Sequence, residues 1–223
     1  MPLIISEEIG ETLKMDFWDA SWGTIDERRL KEYITRKEEP DEMIECLLRE
    51  KAKTVCDAGC GCGVYMLRLL RHGFDMSGFD VASGAVEIAE RLMQSTGKSA
   101  KLKTANVLKT GYQENEFDAV ISRDVLDHMR KFDAKRAVRE LCRITKPGGI
   151  LLFTLDGMDE EYEREPHCVT EEGDYLFESG KWEGMVFHPY RREEVAEIIE
   201  VEVKVQIKEL PDGLLVQLQK KSA

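Results

Sequence analysis

The stretch Val55-Cys56-Asp57-Ala58-Gly59-Cys60-Gly61-Cys62-Gly63 carries the strongest chemical signal in the chain. A short apolar run suited to a strand leads into glycines, which let the backbone turn sharply and come close to a bound ligand before a helix begins. The glycines are spaced G-x-G-x-G and Val64 follows, whereas a dinucleotide loop spaces them G-x-G-x-x-G. Asp57 stands ahead of the first glycine. A carboxylate there is awkward beside a pyrophosphate and natural beside a cationic or ammonium-bearing ligand. A second acid, Asp80, ends the run Gly78-Phe79-Asp80 roughly twenty residues on, where an acid can take both hydroxyls of a ribose. Loop and spaced acid together indicate a nucleoside.

Other groups with chemical potential are the histidines and a few tyrosines. His128 follows Leu126-Asp127, and His167, Tyr175, His188 and Tyr190 fall in the long segment from Gly157 to Tyr190. His128, His167 and His188 are candidate catalytic groups, each a base or an orienting donor; the competing reading makes them hydrogen-bonded structural residues. Tyr175, His188 and Tyr190 are candidate substrate contacts. His72 beside Gly73 reads as a helix-terminus residue. The six cysteines do not make a metal site: Cys60 and Cys62 are separated by one residue, short of zinc-knuckle spacing, and no second pair follows. Cys56 and Cys142 read as small core residues.

The elements that must position these residues alternate. Thr54 to Asp57, Phe74 to Asp80, Lys101 to Thr104, Phe117 to Ser122 and Ile150 to Leu155 read as strands. Tyr65 to Leu70, Ser83 to Met93 with Ser83 as its cap, and Ala134 to Ile144 read as helices between them, the last stopped by Lys146-Pro147-Gly148-Gly149. Such alternation implies a mostly parallel sheet covered on both faces. A helix from Arg191 to Ile199 precedes two strands, Val201 to Ile207 and Leu214 to Leu218. The turn Pro211-Asp212-Gly213 between them is short enough to make that pair antiparallel. Ahead of all this, Leu13, Phe17 and Trp18, then Leu30, Tyr33 and Ile34, then Met43, Ile44, Leu47 and Leu48 lie at helical spacing, the last group behind the helix start Pro40-Asp41-Glu42. Residues 1–50 are therefore expected to form a helical cap and residues 51–223 the main domain. Its segment 157–190 is an insertion with a hairpin turn at Ser179-Gly180, expected to cover a substrate pocket at the carboxyl ends of the strands.

Composition narrows the partners. The chain has 223 residues, 42% of them hydrophobic, enough for a real core, and its formal net charge is −12. A field of that sign disfavours phosphate backbones, so no nucleic-acid partner is expected. No apolar run is long enough to span a membrane, and the amino terminus lacks the basic start and apolar stretch of a signal peptide, so a cytoplasmic location is expected. The sequence does not name an oligomeric state.

From Lys53 to Asp156 the chain resembles the class I S-adenosylmethionine-dependent methyltransferases. Asp57 to Gly63 is similar to the first motif of that family, and Asp80 to its ribose-binding acid. Ala105-Asn106-Val107 falls where the family usually has an acid on the adenine amino group, and Asn106 departs from it with an amide oxygen that can also accept. Glu116 to Ser122 with Val125 to His128 resembles the fourth-strand motif, and Leu141 to Gly149 the approach to the fifth strand. The resemblance implies a three-layer α/β fold of the Rossmann-like methyltransferase kind: a doubly wound seven-stranded sheet, last strand antiparallel. It also implies S-adenosyl-L-methionine as cofactor, held by Asp57, Gly59, Cys60, Gly61, Gly63, Asp80, Val81, Asn106, Val107 and Arg123. Trp18 or Trp22 would close over it from an amino-terminal helix. The expected reaction is in-line methyl transfer to a small-molecule O, N or S nucleophile, for which no metal is required. The alternatives are a cofactor-binding module without catalysis and an NAD-dependent oxidoreductase, which would need its third glycine one residue later.

Overall fold

The computed structural model describes residues 17–22 and 40–222. The spacing at Leu13, Leu30, Tyr33 and Ile34 lies outside them. Residues 17–22 are helical. The elements that follow are α1 (Glu42–Arg49), β1 (Thr54–Ala58), α2 (Val64–Arg71), β2 (Asp75–Asp80), α3 (Ser83–Thr96), β3 (Lys101–Thr104), β4 (Phe117–Ser122), α4 (Lys131–Ile144) and β5 (Thr145–Asp156). Then come α5 (Glu160–Arg164), β6 (His167–Val169), β7 (Tyr175–Phe177), β8 (Val186–Phe187), a 3₁₀ helix (Arg192–Ile198), β9 (Val203–Glu209) and β10 (Gly213–Lys220).

Seven strands form one sheet in the order β3-β2-β1-β4-β5-β10-β9. β1 pairs in parallel with β2 and β4, and β4 with β5; β10 is antiparallel to both β5 and β9. This is the doubly wound Rossmann-like sheet, with all seven expected strands. Its central strands are apolar on both faces because both are covered. Val55, Ala119, Ile121, Ile150 and Leu152 pack with α1 and α2, through Met43, Ile44, Leu47, Met66 and Leu69. Their neighbours in the chain, Cys56, Val120 and Leu151, pack on the other side with Ala134, Ala137, Val138 and Leu141 of α4. Among the described residues no helix is long and apolar enough to cross a membrane.

The amino ends of the central strands are fastened by one side chain. Asp118 accepts hydrogen bonds from the amides of Lys53 (3.0 Å) and Thr54 (2.9 Å) and from Lys146 Nζ (2.7 Å), which ties β1, β4 and β5 together. Burial pushes this carboxyl up, but those donors win and hold it well below the usual carboxylate range.

Three local expectations change. Ser83 is the first residue of α3 and not its cap; the capping position is Ala82, with no side-chain bond, because the backbone there is fixed from Asp80, whose Oδ1 accepts the Ala82 amide at 3.0 Å. Lys146 to Gly149 does not lie between helix and strand. It belongs to β5, where the register against β4 shifts between Phe117 and Ala119, so the Pro-Gly-Gly run makes an irregularity inside the strand. The segment expected as a helix from Arg191 is 3₁₀, with Val195 and Ile198 both buried three residues apart, the spacing that a 3₁₀ helix places on one face.

The 157–190 segment holds α5 and a separate three-stranded antiparallel sheet, β6-β7-β8. The expected hairpin is there as β7 and β8, with Gly180 at φ +87° between them. β6 and α5 had no clear signal, being three and five residues long.

Candidate functional site

Parallel register sets Asp57 opposite Gly78 and Ile121, so the carboxyl ends of β1, β2 and β4 meet at one edge of the sheet. The loop from Gly59 turns there. The amides of Gly59 and Cys60 both donate to Phe79 O, at 2.8 and 2.9 Å, and Gly61 N donates to Asp80 Oδ2 at 2.8 Å. With its other oxygen on Ala82 N, Asp80 stitches the glycine loop to the exit of β2 and still has free lone pairs on both oxygens. Glycine is required at Gly59 and Gly61. Gly59 has φ +80°, and a Cβ on it would lie 2.3 Å from Val125 Cγ2. Gly61 has φ +50°, and a Cβ would lie 2.6 Å from the ring of Trp22.

Asp57 is 3% exposed and makes no hydrogen bond through its side chain among the described residues. Burial pushes its carboxyl up to about 7; Arg123 pulls it down, while Asp80 and Asp124 push it further up. Arg123 itself lies 4.1 Å from the centre of the Tyr65 ring, and Tyr65 Oη donates to Asp41 Oδ1 at 2.8 Å. Asp41 also caps α1 by accepting from Ile44 N at 3.0 Å. Val81, just after Asp80, and Val107 are half-buried. Asn106 spends its amide oxygen locally, on Leu108 N at 2.8 Å, in a turn that fixes the loop after β3.

The loop after β4 forms the opposite wall. Its Asp124 adopts φ +54° and is held by Thr154 of β5. His128 stands between two aromatic rings, 5.1 Å from Trp18 and 5.5 Å from Phe187. Thus the helical segment 17–22 reaches from Gly61, under Trp22, to His128, under Trp18. His128 Nδ1 is buried without a hydrogen-bond partner. Burial holds this imidazole down at about 4, against the pull of Asp124 and Asp156, so it is neutral at pH 7.

The other sequence candidates lie elsewhere. His188 is 1% exposed, and its Nδ1 is 2.9 Å from Asp174 Oδ1. That same oxygen accepts the Lys131 amide at 2.9 Å, at the start of α4. His188 thus helps fasten the small sheet to the core. Tyr190 is buried, ring against His188 at 4.5 Å, with its hydroxyl unpartnered. His167 and Tyr175 face each other across β6 and β7 at 4.7 Å. None of these four lines the cavity of about 490 Å³ at the end of β5. That cavity is bounded by Asp156, Tyr162, Trp182 and Asp212, residues that the histidine-centred reading passed over. Of these only Asp156 carried a signal, as the last of the acids that end or follow the strands of this edge at Asp57, Asp80, Asp124, Asp127 and Asp156.

Residues 55–149 match the family model described as a methyltransferase domain. Over 114 residues the chain is 33% identical to YqeM of Bacillus subtilis, a match that covers 50% of this chain and 45% of that protein. The chain thus spans about half the length of the curated relatives it matches. Among solved structures, an S-adenosylmethionine-dependent methyltransferase from Methanosarcina mazei superposes with a TM-score of 0.67 at 23% identity, over 83% of this chain and all of the other. The 1,6-didemethyltoxoflavin N1-methyltransferase of Burkholderia thailandensis, solved with that compound and S-adenosylhomocysteine, gives 0.66 at 18% identity, over 100% of this chain and 93% of the other. At these identities the structures share the fold.

Proposed function

Residues 55–149 match a methyltransferase domain, and from that premise we propose that the chain is a class I S-adenosylmethionine-dependent methyltransferase, which transfers a methyl group from S-adenosyl-L-methionine to an O, N or S nucleophile on a small molecule. The observation that carries this reading is the pair of acids flanking the glycine loop. Asp57 is a buried carboxyl without a side-chain hydrogen bond among the described residues, which suits an ammonium group, and Asp80 faces the loop with lone pairs to spare, which suits ribose hydroxyls. The residues present therefore fit the cofactor.

When bound, S-adenosyl-L-methionine supplies a methyl group already activated by a sulfonium, and the protein's share is to align and to dry the site. Asp57 and Asp80 would hold the two polar ends, with Asn106 and Val107 along the nucleoside, while Trp18 and Trp22 would exclude water from above. Neutral His128 would orient the nucleophile or take its proton at Nδ1, the atom left without a partner. A small-molecule acceptor agrees with the net charge of −12 and with the Burkholderia enzyme, which was solved with one.

The test has two stages. S-adenosylhomocysteine should raise Tm in a concentration-dependent manner and NAD should not, since a ligand stabilises only the state that binds it. Methyl-labelled cofactor with a metabolite extract should then label a small molecule. Stabilisation by NAD alone would replace this reading with the oxidoreductase one; binding without any label transferred would leave a cofactor-binding module.

A further inference from the structure

We infer that the cavity at the carboxyl end of β5 is the acceptor pocket and that it selects a small molecule bearing a protonated amine, an inference that rests on the methyl-transfer reading above. Its place follows from the topology. β10 runs antiparallel to β5 with Gly213 opposite Asp156, so the turn before β10 returns Asp212 to the edge where β5 ends. The segment after β5 then folds over, contributing Asp159, Glu161 and Tyr162, and the small sheet adds Trp182.

Four carboxylates, Asp156, Asp159, Glu161 and Asp212, border this space of about 490 Å³. Glu161 is paired with Lys181 at the rim, but no Lys or Arg among the described residues pairs with Asp156 or Asp212. Behind Asp156 lies a fifth acid, Asp127, fully buried. Its Oδ2 accepts the Asp156 amide at 3.1 Å, and its Oδ1 has no partner. The carboxylates of Asp156, Asp159 and Asp212, which have no Lys or Arg partner among the described residues, repel one another, and a single ammonium would offset that repulsion, whereas a phosphate or carboxylate would add to it.

A second, independent observation is aromatic. Tyr162 and Trp182 meet edge to face at 5.2 Å and 84°, both half-buried on the cavity wall. Aromatic faces attract cations, and this wall already holds one: the Lys181 ammonium lies 4.4 Å from the centre of the Trp182 ring while paired with Glu161. The protein's own lysine thus shows, at the rim, the acid-and-ring arrangement that a ligand amine would meet inside.

The 223-residue chain is first titrated with S-adenosylhomocysteine, then, at saturation, with tyramine, agmatine and spermidine and with 4-ethylphenol and 4-hydroxyphenylacetate as neutral and anionic counterparts, by thermal shift and calorimetry. At least one amine should bind saturably and both counterparts should not. The double variant Asp159→Asn, Asp212→Asn, both exposed positions, should weaken that amine at least tenfold and leave the affinity for S-adenosylhomocysteine within twofold; Trp182→Leu should also weaken the amine. Binding of no amine, equal binding of the counterparts, or an amine affinity unmoved in the double variant overturns the inference. If S-adenosylhomocysteine itself fails to bind, the cofactor reading falls; if it binds and the amines fail, only the acceptor class does.

Discussion

Asp80 serves two structures at once, and its removal separates them. Its oxygens accept Gly61 N and Ala82 N and, in the proposed complex, would accept ribose hydroxyls as well. Asp80→Ala should weaken S-adenosylhomocysteine by roughly 1.5–3 kcal/mol for each charge-assisted bond lost, a tenfold or larger rise in Kd by calorimetry. An unchanged Kd would mean that the ribose lies elsewhere. His188 is a contrasting residue. From the sequence it was a candidate base, yet its Nδ1 is held by Asp174 and only its Nε2 is left without a hydrogen-bond partner, inside the packing between the small sheet and α4, whereas His128, of the same residue type, has its Nδ1 without a hydrogen-bond partner between Trp18 and Phe187. Nothing in the residues around the two histidines distinguishes them, because what separates them is a partner fourteen residues upstream of His188 in one case and two remote aromatic rings in the other.

At the scale of elements, Asp174 joins the small sheet to the main one. It receives the first amide of α4, a helix whose own capping residue, Arg130, offers no side-chain bond, and it receives His188 and Thr170 as well. Burial pushes its carboxyl up, but these donors prevail and hold it below its ordinary value. Asp174→Ala would strand a buried imidazole and a helix-start amide, at a cost of about 3 kcal/mol. For a chain of this size that is a fall in Tm of roughly 6–12 °C. A fall under about 2 °C would show that the small sheet is not anchored there. The central strands of the main sheet were legible because β1, β4 and β5 carry apolar runs, which two covered faces demand, and β9 because it alternates Val203, Val205 and Ile207 with polar residues; the edge strand β3, Lys101-Leu102-Lys103-Thr104, showed itself only by its place in the alternation of strands and helices. The short strands of the insertion were not, since three residues carry no period, and the β5 cavity was not, since Asp156, Trp182 and Asp212 come together only when the antiparallel β10 returns its turn to the end of β5. The glycine loop was legible for the opposite reason: its parts are contiguous, and one acid at the end of the next strand completes it.

Over the whole molecule, buried acids make stability and ligand affinity respond to pH in opposite directions. Burial pushes Asp57, Asp127 and Asp156 up to about 7, from an ordinary value of 3.8. Between about pH 4 and 7 these three carboxyls hold protons that they release on unfolding; His128, neutral when folded, works in the opposite sense below about 6.5, but one imidazole against three carboxyls leaves stability falling as pH rises through that window. Asp118 and Asp174 are held low, so their stabilising contribution is present above pH 4 and is lost only on further acidification. The ligand-free chain should accordingly melt several degrees higher at pH 5.5 than at pH 8. Binding runs the other way. If Asp57 meets the ammonium of the cofactor, it must be ionised, and at pH 5.5 it is mostly protonated; S-adenosylhomocysteine should bind roughly tenfold more weakly there than at pH 8, with a correspondingly smaller rise in Tm. Asp57→Asn, which cannot ionise, should bind weakly at both pH values and lose the difference between them. Thermal scans of both proteins at the two pH values, with and without ligand, measure all four quantities. A ligand-induced shift as large at pH 5.5 as at pH 8 in the unmodified chain would place the ammonium away from Asp57, and with it the charge on which the reading of the glycine loop depends.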